Sequence, residues 1–183
     1  MRIRICFGFR ASDFEFVESG KTNIKLKCCR RPNLKVIVEI ANLQKHYEIK
    51  SSKIKRAVKE VLSKKGKDAR LSIALVDNSK IKELNKQYFN SDEVTDVISF
   101  PLSNNKNILC GEIIVSVETA VDTAGKRNIS IEGEIVLYII HGILHLSGYD
   151  DGNEGNARVM HEEESKILKA LGYNVPRVED GFL

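Results

Sequence analysis

Apolar positions recur along this chain with two different periods. Lys35–Asn42 (KVIVEIAN) alternates and is rich in β-branched residues, which predicts a strand. Ser51 or Ser52 can cap a helix running to about Lys65, with Ile54, Ala57, Val58, Val61 and Leu62 on one face and Gly66 to end it. Arg70–Val76 (RLSIALV) reads as a second strand, and Asp77 or Asn78 starts a short helix through Leu84 to Tyr88. DVISF (96–100) and EIIVSV (112–117) add two strands. Three helices follow: Glu118 to about Lys126, a long apolar one from about Ile131 to Leu146, and a last one from about Asn156 to Leu171, capped by Gly172. Strands and helices mix without strict βαβ alternation. The expected class is therefore α+β, a small mixed β-sheet with helices packed on one side of it.

Composition narrows the class without changing that picture. The chain has 183 residues, 42% hydrophobic and 30% charged, as a soluble globular domain would. Its longest apolar run, Ile135–Leu146, contains two histidines and is too short to span a bilayer, so no membrane role is expected. The opening MRIRICFGFRASDFEFVESG has scattered charges and does not read as a secretory signal. Cys6, Cys28, Cys29 and Cys110 lack C-x-x-C spacing, which argues against a zinc ribbon or thioredoxin-like site and for reduced thiols in the cytoplasm. The net charge of +4 divides unevenly: nine Lys/Arg against three Asp/Glu over residues 1–35 leave −2 for the rest. Residues 1–34 are expected to be a basic N-terminal extension, or translated sequence upstream of the true start, and residues 35–183 the functional domain. No chemistry is assigned to the extension.

The candidate chemistry lies in HGILHLSGYDD, residues 141–151. Four residues apart on a helix, His141 and His145 point the same way and can share one cation. Gly148 breaks the helix and permits a backward turn, which could return Asp151 as a third, carboxylate ligand. Three protein ligands leave a fourth position open, as in catalytic zinc sites. Two satisfied core histidines followed by an ordinary Asp-Asp-Gly-Asn turn would also fit this spacing. The residue after His141 is Gly142, where H-E-x-x-H zinc peptidases carry their glutamate base, and this disfavours a peptidase.

HGILHLSGYDD resembles the HGxLHLxGYDH signature of the bacterial YbeY family of metal-dependent endoribonucleases. LNKQYFNSDEVTDVISFP (84–101) resembles that family's LNxxYRxxDxPTDVLSFP segment, and CGEIIVSVETA (110–120) its LGDIVIS segment. All three motifs are in register, and the likeness runs from about Lys35 to Gly172. It implies a zincin-like active-site helix and one zinc ion held by His141, His145 and Asp151, which would also be the catalytic residues. It further implies a single-strand-acting endoribonuclease of ribosomal RNA maturation and ribosome quality control, with ribosomal RNA and the small ribosomal subunit as partners. Three positions depart from the pattern. The family's third zinc-binding histidine falls on Asp151, its phosphate-holding arginine on Phe89, and its GD pair on Gly111-Glu112.

Several other residues have two readings. Lys53, Lys55, Arg56, Lys59, Lys64, Lys65 and Arg70 could form a phosphate-binding flank, with Lys53, Arg56 and Lys59 its expected RNA contacts, or simply a solvated helix face. The resemblance places Thr95 and Ser99 in the cleft beside the metal, Ser99 as an RNA contact. Asp96 and Ser99 read equally as a strand-start turn and an edge hydroxyl. His161 is a reserve third ligand or a solvated residue beside Glu162–Glu164, and His46 stands in a polar loop. Proton transfer could involve a metal hydroxide, the RNA 2′-hydroxyl or Asp150. The rival to the enzyme is a ribosome-associated RNA-binding factor with weak or lost catalysis, suggested by Phe89 and Asp151.

Overall fold

The structure is a computed structural model and describes residues 36–65, 68–103 and 107–175. The basic extension, Cys6, Cys28, Cys29 and the helix-ending Gly66 lie outside the described residues. Among the described residues nine elements follow in order: β1 (Val36–Asn42), α1 (Ser51–Lys65), β2 (Asp68–Val76), α2 (Asn78–Phe89), β3 (Val97–Pro101), β4 (Ile108–Ser116), α3 (Val117–Arg127), α4 (Ile131–Leu146) and α5 (Glu154–Leu171). The four strands form one mixed sheet in the order β1-β2-β4-β3. β1 and β4 run parallel to β2, from Val36 opposite Ala69 and from Asp68 opposite Ile108. β3 runs antiparallel to β4, with Val97 opposite Val115 and Pro101 opposite Gly111. The α+β class and the mixed sheet expected from the sequence are what the chain adopts.

The central strands explain the layering. β2 and β4 are covered on both faces, as parallel strands usually are, and their sequences are accordingly near-continuous apolar runs. Leu71, Ile73, Leu75, Ile113 and Val115 join the large core with Ile54, Ala57, Val58, Val61 and Leu62 of α1 and the buried faces of α3, α4 and α5. The alternate residues Ala74, Val76 and Ile114, with Ile98 of β3, meet Ile81 and Leu84 of α2 in a second, smaller core. One expectation needs correcting here: helices cover both faces, with α2 alone on the far side. A short helix with one apolar stripe says that it packs, not against which face.

Local signals set most element ends. Asp77, Ser116, Ser130 and Asn153 N-cap α2, α3, α4 and α5, each side chain accepting from a backbone N–H three residues on. Gly172 closes α5 at φ 84°. Asp96 sits just before β3, its Oδ1 accepting from the Val97 N–H at 2.8 Å, so the strand-start turn is the reading that holds for it. α4 is buried from Gly133 to Ile140 and from Gly142 to Leu144, which is why its sequence is apolar almost all round. It lies along β3 and β4, and Gly142 makes the fit possible. A Cβ there would stand 2.9 Å from Ile113 Cγ2 and 3.3 Å from Val97 Cγ2.

Candidate metal centre

His141 and His145 leave the last turns of α4 on its partly open side, with side chains 16% and 30% exposed. Their Nε2 atoms approach to 3.0 Å. The Nδ1 atoms face other partners. His141 Nδ1 lies 2.7 Å from Glu164 Oε1 on α5, and His145 Nδ1 lies 3.2 Å from the Tyr149 carbonyl. A carbonyl only accepts, so His145 carries its proton on Nδ1 and presents a bare Nε2. Glu164, accepting from His141 Nδ1, sets the same tautomer there. Two lone pairs 3.0 Å apart repel unless a cation, proton or metal, lies between them.

Asp151 decides which cation fits. Gly148 takes φ 96° and turns the chain back at the end of α4, as its position in the motif predicts. Asp151 then stands with Oδ2 3.6 Å from His141 Nε2 and Oδ1 3.7 Å from His145 Nε2. The three ligand atoms all lie within 4.8 Å of one another, the only such group of three among the described residues. Zinc–nitrogen bonds of 2.0–2.1 Å at tetrahedral angles would put two ligand nitrogens about 3.3 Å apart, close to the spacing found. The donors suit a divalent transition ion, since two imidazoles and one carboxylate are a known catalytic zinc set. Oriented Nδ1–H groups on carboxylate and carbonyl acceptors are the outer support such ligands ordinarily have.

Glu164 is the functional residue that the sequence reading missed. It is 1% exposed, and the sequence reading named it only as one of the glutamates beside the reserve candidate His161. The available signal was its place in the apolar stripe of α5, between Met160 and Ile167, Leu168 and Leu171. His161 stays outside the metal group, one turn before Glu164. His46 meets Glu118 at 3.6 Å. Asp150 is exposed and accepts from the Gly152 N–H at 3.3 Å, turned into its own loop.

A cleft of about 400 Å³ opens beside His145, lined by Asn85, Phe89, Thr95, Val97, Ser99 and Leu146 among others. Ser99 and Thr95 are thus beside the candidate metal site. Lys53 and Arg56 are not, since they line a separate pocket with Glu132, and Lys59 is exposed on α1. Lys53 Nζ pairs with Glu132 at 2.7 Å, at the opposite end of α4. Thirteen residues of helix separate Glu132 from His145, about 20 Å at the α-helical rise. Gly142 is pressed on Ile113 and Val97, so a glutamate there would collide with the sheet, which further disfavours the peptidase reading.

Comparison with known proteins agrees over most of the chain. A family model described as Endoribonuclease YbeY matches residues 39–172. Endoribonuclease YbeY of Carboxydothermus hydrogenoformans is 39% identical over 140 residues, covering 74% of this chain and 98% of that protein. Its counterpart in Finegoldia magna is 34% identical over 145 residues, covering 75% and 95%. The solution structure of TM1509 from Thermotoga maritima superposes with a TM-score of 0.57 at 32% identity, covering 74% of this chain and 89% of that one.

Proposed function

The chain belongs to the YbeY family, and from that premise we propose that it is a metal-dependent endoribonuclease cutting single-stranded RNA. Its one zinc ion is held by His141, His145 and Asp151, and its physiological substrate is ribosomal RNA, met on or near the small ribosomal subunit in the cytoplasm during rRNA maturation and ribosome quality control. The relatives are named endoribonucleases, and no described helix is long and apolar enough to cross a membrane. One observation carries the site assignment: two imidazole nitrogens, both made bare by their Nδ1 partners, face each other at 3.0 Å beside a carboxylate.

A divalent ion held by His141, His145 and Asp151 would supply Lewis acidity toward a phosphodiester oxygen. The protein supplies the rest. Glu164 and the Tyr149 carbonyl hold both rings in one tautomer and orientation. The cleft with Ser99 and Thr95 receives the strand beside His145. Gly142 offers no general base beside His141. Lys53, Arg56 and Lys59 extend the contact surface toward the far end of α4, where they add salt-sensitive, sequence-independent affinity.

The test is purified full-length protein incubated with unstructured RNA, with and without chelator, alongside metal analysis. Chelator-sensitive cleavage that zinc restores, and loss of bound metal in a His141→Ala, His145→Ala double variant, are the expected results. Unchanged metal content in that variant would overturn the site. A second reading is kept alive by Phe89, because no Lys or Arg lines the cleft among the described residues. It makes the chain an RNA-binding factor that has lost turnover, and tight binding without cleavage at saturating zinc would establish it.

A further inference from the structure

Phe89 is the last residue of α2, held there by the left-handed Asn90 cap at φ 56°. It is 57% exposed, the most exposed large hydrophobic residue described. Its ring stacks on Phe100 with centroids 6.0 Å apart and planes 11° apart, and Phe100 is braced edge-on by Tyr88 at 5.2 Å. One side of the Phe89 ring is therefore backed by the second core, while more than half of the residue stays open to solvent. The same ring lines the cleft that His145 lines. Lys82 and Lys86 of α2 share the one carboxylate of Asp92, at 3.8 and 3.4 Å, and neither lines the cleft.

We propose that Phe89 is a stacking platform for one unpaired nucleobase of the RNA, seated in the cleft beside His145 so that the adjoining backbone reaches the metal centre. The proposal rests on the endoribonuclease reading and names the substrate feature that reading leaves open. A braced ring with an open face, in a cleft that no Lys or Arg lines among the described residues, can hold RNA through a base. His145 of the metal group lines the same cleft, so the occupant is the molecule whose backbone reaches that group. A paired base hides its face within the helix stack, so the platform selects a nucleotide in a loop, bulge or end. Because every base has a π-face, selection is for an unpaired position more than for a sequence.

The experiment uses a short unstructured RNA in which single nucleotides are made abasic in turn. Binding is measured under chelator, and cleavage after zinc is restored. Wild type is expected to lose affinity roughly tenfold when one fixed position becomes abasic. Phe89→Ala is expected to lose about as much on intact RNA and nothing further on the abasic strand, whereas Phe89→Trp keeps the wild-type pattern. An equal abasic penalty in wild type and Phe89→Ala would overturn the platform and assign the exposed ring to a protein contact. Cleavage without Phe89 dependence sinks this proposal and leaves the nuclease standing. Phe89-dependent binding without metal-dependent cleavage does the reverse.

Discussion

Glu164 chooses which nitrogen of His141 carries the proton, and through that choice whether the ring can ligate at all. It is buried and 2.7 Å from His141 Nδ1. Glu164→Gln keeps the volume and an accepting oxygen but removes the charge that strengthens the bond. Losses of such outer partners usually cost 10- to 100-fold in metal affinity, so a fall of that size is expected in a competitive zinc titration, with the circular dichroism spectrum unchanged. Wild-type affinity in this variant would show that His141 needs no such partner. Phe89 permits an opposite kind of change. Phe89→Arg places a guanidinium in a cleft whose lining holds none among the described residues, and each phosphate newly neutralised on a single strand steepens the log–log dependence of binding on salt by about 0.7. A slope equal to wild type would mean that the cleft does not see the RNA backbone. The histidine pair was legible in the sequence because four residues of helix fix it locally. Its buried partner was not, because Glu164 arrives from another helix, and only its intrusion into an apolar stripe marked it.

At the scale of the element, α4 must lie close enough to β3 and β4 to bury its apolar girth and still expose its last two histidines. Gly142 sets that distance, and its worth can be separated from helix propensity by comparison with Gly125 of α3. A Cβ at Gly125 would meet nothing within 4 Å, so Gly125→Ala should stabilise the protein by up to about 1 kcal/mol. A Cβ at Gly142 would stand 2.9 Å from Ile113, so strain of about 1–3 kcal/mol should outweigh the propensity gain and loosen zinc binding as α4 shifts. Thermal melts of both variants under chelator, with a zinc titration of each, check this. Stabilisation by both substitutions would show that α4 has room to spare. The elements themselves were readable from hydrophobic period and caps, with ends displaced by a few residues: β4 begins at Ile108 rather than Glu112, and β2 at Asp68 rather than Arg70. The side of the sheet that α2 occupies was not readable. Its stripe of Ile81, Leu84 and Tyr88 would suit either face, and the choice is made by Ala74, Val76 and Ile114 on strands that other elements position.

The molecule as a whole carries an electrostatic cost away from its candidate site. Glu112 lies in the middle of β4 with Ser72 of β2 and Phe100 of β3 beside it in register. Strand alternation turns it to the α2 side with Ile114. It is 2% exposed, and its Oε2 has no hydrogen-bond partner among the described residues. Burial pushes its carboxyl up from 4.5 to about 8. Neither cross-strand neighbour ionises. Tyr88, which faces it from α2, is itself raised, first by burial and then by the Glu112 charge, and so stays neutral across this range. Glu39, one strand further along the same row, is exposed and lies 3.4 Å from Arg70. The folded state thus keeps a proton that the unfolded chain releases near 4.5, so the folded state binds more protons between the two values and stability falls as pH rises. The contribution is fully present below about 4.5 and lost as pH climbs through about 8, a change on the order of a few kcal/mol. Glu112→Gln removes the titrating group and should flatten the decline in melting temperature between about pH 5 and pH 8. With chelator present throughout, loss of metal cannot imitate the effect. Parallel profiles for wild type and variant would mean that this carboxyl is ionised in the fold and finds a partner there, and the second core would then have to be redrawn around a buried charge.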